Sequence, residues 1–139
     1  MSTDIKTGMT ILDPDQCLAL LRTTTVGRLA VAINAVPDIF PINFVLDHGT
    51  VVFRTAEGTK LAASVLGRAV AFEADGYDPA AGEAWSVVLK GQAFEVTRLH
   101  DLLDATDLPL FPWSTWPKPR FVRIVPTTTS GRRFTVAPL

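Results

Sequence analysis

Cysteine, histidine and tyrosine are scarce in this chain. One cysteine, Cys17, leaves no partner for a disulfide and excludes a cysteine-based zinc site within one chain. Only two histidines occur, His48 and His100, and nothing in the sequence brings them together, so no metal site is expected. The formal net charge of −1 and the lack of a basic run argue against nucleic acid as a partner. No apolar run reaches membrane-spanning length, and the polar stretch Met1–Thr10 has no apolar core of the signal-peptide kind. These absences lead us to expect a cytoplasmic protein that touches neither membrane nor nucleic acid.

What is present is a core and strand periodicity. Hydrophobic residues make up 47% of the 139, enough for one domain with a real interior. We expect residues 1–12 to be a loose arm and 13–139 a single domain. Asp13-Pro14-Asp15-Gln16 reads as a helix start, with Asp as N-cap, Pro in the first turn and Gln returning the cap. Cys17 follows as a small buried hydrophobe. In Val26–Ile33 the period becomes two: Leu29, Val31 and Ile33 share one face, and Arg28, Ala30 and Ala32 the other. Asn34–Asp38 reads as a hairpin loop, Ile39–Leu46 as the second strand, Asp47–Thr50 as a turn and Thr50–Thr55 as the third strand. A two- or four-residue turn pairs Leu46 with Val51, Phe44 with Phe53 and Asn43 with Arg54.

After the third strand, Arg54-Thr55 leads through a Gly-containing turn into a helix expected over Thr59–Leu66 and stopped by Gly67. Two cationic and two hydroxyl side chains at such a turn can cradle an anion such as phosphate. The same residues also suit an ordinary strand-to-helix connection with solvated charges, and on their own they leave both readings open. Ala69–Ala74 reads as a strand, Asp75–Gly82 as a loop, and Glu83–Val96 as a long strand with Gly91 a bulge or barrel corner. A third short helix begins at Thr97, with His100 on its surface; His48 sits at a turn tip. Leu108–Pro119 holds four prolines, two tryptophans and a phenylalanine. It should lie across something apolar: the core, a flat ligand or a second subunit. Arg120–Val125 reads as a final strand, and Ser130–Phe134 as a polar turn whose Arg132 and Arg133 are a solvated end or an anion contact. The tally is mainly β: six to seven antiparallel strands closing as a barrel, with about three short helices.

Five motifs in order carry a resemblance. They are Val26-Gly27-Arg28-Leu29-Ala30, Pro41-Ile42-Asn43-Phe44, Val52-Phe53-Arg54-Thr55 with Lys60, Trp85-Ser86-Val87-Val88-Leu89-Lys90-Gly91, and Gly131-Arg132-Arg133-Phe134. Over residues 13–134 the chain resembles the pyridoxamine-5'-phosphate-oxidase-like, FMN-binding split β-barrel proteins. It is most similar to their short actinobacterial group, related to nitroimidazole-resistance proteins. The resemblance implies a homodimer with flavin at the subunit interface. Arg54, Thr55, Thr59 and Lys60 would take the FMN phosphate. Pro41, Ile42 and Asn43 would lie along the isoalloxazine, and Trp85 and Ser86 would reach it, often from the other subunit. The function implied is flavin-dependent oxidoreduction of a small heteroaromatic or electron-poor molecule, with no catalytic side chain assigned. The alternative is a non-catalytic protein that binds or senses flavin, deazaflavin or haem; a purely structural domain is a third reading. True pyridoxamine-phosphate oxidases are longer and carry a C-terminal Arg-x-His clamp. Here Arg132-Arg133-Phe134 has no nearby histidine, so oxidation of that vitamer is not expected. The histidine of the haem-degrading relatives is absent as well.

Overall fold

A computed structural model describes residues 2–4, 8–55, 59–96 and 120–136, with residues 2–4 as backbone alone. In chain order the strands are β1 (Ser2–Asp4), β2 (Met9–Leu12), β3 (Val26–Ile33), β4 (Val36–Asn43), β5 (Val45–Asp47), β6 (Thr50–Thr55), β7 (Ala69–Asp78), β8 (Glu83–Glu95) and β9 (Arg120–Thr135). The described helices are α1 (Pro14–Leu21) and α2 (Lys60–Val65). The third helix expected at Thr97, with His100, and the segment Leu108–Pro119 lie outside the described residues.

Local chemistry accounts for the first elements. Asp13 accepts from the backbone N–H of Gln16 (2.9 Å), and the Gln16 side chain accepts from the N–H of Asp13 (3.0 Å), so the capping box starts α1. β3 has the expected bounds, with Leu29 and Val31 buried and Arg28 and Ala32 exposed. Its hairpin to β4 is tighter than expected. Asn34 and Ala35 both take positive φ (51° and 62°), as a two-residue primed turn demands. Pro37 and Asp38 therefore belong to β4 rather than to a loop. Pro37 and Pro41 are tolerated because β4 ends the strand order and needs no full ladder on both sides.

A corner at Phe44 then corrects the expected register. Leu46 pairs with Val51 as expected, but the β5–β6 ladder stops at Val45–Val52. Asn43 pairs with Val26 of β3, and the Phe44 N–H donates to Thr25 O (3.0 Å). Neither Phe44–Phe53 nor Asn43–Arg54 is a ladder pair. The chain leaves β6 at this point to join β3, and Phe44 turns inward, edge-on to Phe72 with ring centroids 4.8 Å apart.

That corner closes the barrel. β4 pairs with β3, β3 with β7, β7 with β8, β8 with β9, β9 with β6, and β6 with β5, which continues β4 around Phe44. Counting the bent β4–β5 as one strand, the ring has six, which is the split barrel. Phe53, Phe72, Leu29, Leu89, Val51, Val122 and Ile124 fill it, all fully buried.

Three further expectations change. β7 runs on to Asp78, so the loop shrinks to residues 79–82. β9 is continuous from Arg120 to Thr135, so Ser130–Phe134 is strand rather than turn. The expected loose arm instead supplies two strands: β2 pairs with the end of β9, from Met9–Phe134 to Leu12–Gly131, and β1 pairs with β2. A β9 edge left open would expose a row of unpaired backbone groups. Gly91 is the expected bulge: the β8–β9 register shifts at Lys90/Gly91, and a Cβ there would stand 2.0 Å from Val125 O.

Candidate functional site

Donors flank the junction between the end of β6 and the start of α2. Thr55 is 2% exposed, and its hydroxyl lies 3.1 Å from that of Thr59. Thr59 is the N-cap of α2, accepting from the Ala62 N–H at 3.2 Å. Arg54 stacks its guanidinium on the Phe121 ring across β9, 5.0 Å from the centroid. Lys60 reaches back to β4 and pairs with Asp38 at 2.8 Å. The hydrogen bond from Lys60 holds the Asp38 carboxyl below its usual range. Of the expected cofactor-binding residues here, Thr55 and Thr59 meet through their hydroxyls, whereas Arg54 lies on Phe121 and Lys60 on Asp38, and as adjacent strand residues Arg54 and Thr55 face opposite sides of β6. Such donors fit a phosphate, which accepts hydrogen bonds and carries negative charge.

The strand expected along the flavin ring is β4. Pro41 is exposed, Asn43 half-buried, and Ile42 points into the core at 5% exposure. Lys60 is tied to that strand through Asp38, a partner the sequence reading placed in a loop. Trp85 and Ser86 lie elsewhere. On β8, Trp85 pairs with Gly76 of β7 and Arg133 of β9, and Ser86 with Asp75 and Arg132. Residues 85 and 95 are ten apart on β8, and Glu95 and Arg54 flank adjacent residues of β9, Val122 and Phe121. At ~3.3 Å per residue, roughly 30 Å of strand separates Trp85 from Arg54 within one chain.

Other polar groups have structural partners. Arg28 bridges Glu73 (3.1 Å) and Asp75 (3.3 Å) across the β3–β7 face. Burial pushes the Glu73 carboxyl up, and the neighbouring Asp75 adds to this against the pull of Arg28. Arg123 on β9 clamps the β5–β6 hairpin through Asp47 (3.0 Å) and Thr50 (2.5 Å). Burial raises the Asp47 carboxyl, but Arg123 and His48 together outweigh it and leave the group below its usual range. His48 is on the surface at 92% exposure. Cys17 is fully buried against Gly131, and burial, then the Asp13 charge, push its thiol up, as suits an inert core cysteine. Among the described residues, no cluster of three or more His, Cys, Asp or Glu is placed to hold a metal ion. No described helix is long and apolar enough to cross a membrane.

A six-stranded split barrel with polar side chains at the end of its third long strand has known relatives. A family model described as pyridoxamine 5'-phosphate oxidase matches residues 13–133. The chain belongs to that family. Among solved structures similar to the chain, the FAD binding protein from Mycobacterium smegmatis is 41% identical, with a TM-score of 0.84 over 92% of this chain and 100% of its own. A putative pyridoxamine 5'-phosphate oxidase from Corynebacterium glutamicum is 38% identical, with a TM-score of 0.87 over 99% of this chain and 100% of its own. An uncharacterized protein of Mycobacterium tuberculosis is 34% identical over 127 residues, 88% of this chain and 83% of its own.

Proposed function

We propose that this protein binds a flavin nucleotide and is a flavin-dependent oxidoreductase acting in the cytoplasm on a small heteroaromatic or electron-poor substrate. The observation that carries the reading is the Thr55–Thr59 hydroxyl pair at the N-cap of α2, with Lys60 tied to β4 through Asp38 and Arg54 on the end of β6. Arg54 and Lys60 would neutralise the flavin phosphate, and Thr55 and Thr59 would donate hydroxyl hydrogen bonds to it. Lys60 would be shared between the phosphate and Asp38. Pro41, Ile42 and Asn43 would line the ring, Ile42 through its backbone because its side chain is in the core. The flavin supplies the hydride or electron transfer; the chain supplies position and charge. No catalytic acid or base is assigned.

Trp85 and Ser86 would reach the ring from a second copy, a reading that the resemblance supplies and that their separation from Arg54 by some ten residues of β8 agrees with. We therefore read the protein as a homodimer. A single protomer mass by light scattering at micromolar concentration would overturn that part.

FMN is our reading of the cofactor, and the flavin named for the Mycobacterium smegmatis relative makes FAD the alternative. An absorbance spectrum of the purified protein tests the whole. Oxidised-flavin bands are expected, and chromatography of the released cofactor separates FMN, FAD and deazaflavin. A colourless protein that takes up none of them overturns the reading. Reduction by NAD(P)H and reoxidation by an acceptor, faster than for free flavin, distinguishes an enzyme from a carrier.

A further inference from the structure

The indole of Trp85 lies over a glycine. Gly76 on β7 is its direct cross-strand partner, and a Cβ built there would stand 2.3 Å from the indole nitrogen, 2.7 Å from Cε2 and 3.0 Å from Cζ2. These are far inside contact distance, so the ring occupies the space of any side chain at position 76. The backbone does not itself demand glycine, since Gly76 is not among the positive-φ glycines. Glycine within a strand weakens it, and the usual compensation is a close approach by another group. Here that group is the indole.

Trp85 is also part of a groove of about 430 Å³. Tyr77 stands beside it on β7, and Arg133, its cross-strand partner on β9, brings a cation. Leu20 near the end of α1, and Thr23 and Thr24 just after it, also line the groove. Below the indole is the barrel core, against which it packs. The lining also carries Asp75, Asp78 and Glu83, so the part of a ligand that docks on the indole is an uncharged planar ring rather than a phosphate.

We infer that Gly76 is a positioning residue for Trp85. It leaves the space over β7 that the indole fills as it lines this groove, where a planar ring docks. The inference rests on the flavin reading in one respect only, namely that the docking ring is the flavin's. A side chain at position 76 lifts the indole off β7 and spoils that lining without touching the ligand.

The test is a double-mutant cycle with two readouts. Gly76→Ala should weaken FMN or FAD binding by about ten-fold, the scale of one aromatic contact. In the Trp85→Ala background the same change should alter affinity by less than about two-fold, because nothing is left to displace. In protein carrying Trp113→Phe and Trp116→Phe, where Trp85 is the sole tryptophan, Gly76→Ala should raise the acrylamide quenching constant. An equal affinity loss in both backgrounds overturns the inference, and so does an unchanged quenching constant. If no version binds flavin, the flavin reading fails while quenching still decides the role of Gly76. If Gly76→Ala does not fold alone, folding of the Gly76→Ala, Trp85→Ala pair supports the inference and its failure to fold overturns it.

Discussion

The two ends of the proposed site are built in opposite ways. Between the end of β6 and the start of α2, Arg54, Thr55, Thr59 and Lys60 lie within seven residues of one another in sequence, and the Thr55 and Thr59 hydroxyls meet. At the Trp85 groove, Gly76, Trp85 and Arg133 come from three strands and meet only through the β7–β8–β9 register. The first end is a set of donors whose work is electrostatic. The second is a packed aromatic surface whose work depends on shape. Damage to the first should therefore act mainly on affinity, and damage to the second mainly on order.

The largest effect should erase this distinction. Phe53 is fully buried one residue before Arg54, and its ring belongs to the core shared by both ends. Phe53→Ala should cost about 3–5 kcal/mol of stability in denaturant unfolding. Both ends should melt in one transition; separate transitions would mean that the barrel is not one cooperative core. Next, Arg54→Ala should weaken flavin binding by about ten- to a hundred-fold, equivalent to ~1.5–3 kcal/mol, in a fluorescence titration. The Trp85 end should keep its quenching constant, and a change there would couple the two ends. Thr59→Ala removes the N-cap of α2 and should cost about 1 kcal/mol of stability, with a smaller loss of affinity than Arg54→Ala. An affinity loss with unchanged stability would assign Thr59 to the ligand alone.

The smallest effect concerns neither end and calibrates both. Asp47 is held below the usual carboxylate value of 3.8, so the folded state binds its proton less readily than the unfolded chain. Its contribution is fully present above the unfolded value and is lost as pH falls through the lowered folded one. Asp47→Asn should flatten that acid limb in a series of melting temperatures against pH. It should leave flavin affinity at neutral pH unchanged.

Much of the fold was legible where one short stretch carries the whole cause. The capping box at Asp13–Gln16, the bounds of β3, the His48–Gly49 turn and the Gly91 bulge all follow from neighbouring residues. The N-cap of α2 at Thr59 was legible for the same reason, while residues 56–58 before it lie outside the described residues. The rest needed partners distant in sequence. Asn34–Asp38 looks like a loop because Pro and Asp disfavour strands, yet only two residues turn, since β4 lies at the end of the strand order. Ser130–Phe134 looks like a turn because it is polar and contains Gly, yet β2 and β8 flank it and hold it extended. Asp38 as the partner of Lys60, and Phe121 as the platform for Arg54, are invisible from their own segments.

By itself, then, the sequence determined the elements whose hydrogen bonds close within a few residues and the two-faced strands. Only the tertiary structure decided where the bent strand leaves β6 for β3, how β9 gains its partners, and that Trp85 lies on Gly76. Those outcomes depend on ladders between segments tens of residues apart. The sum of buried surface and satisfied backbone groups chooses among registers that each segment alone would accept.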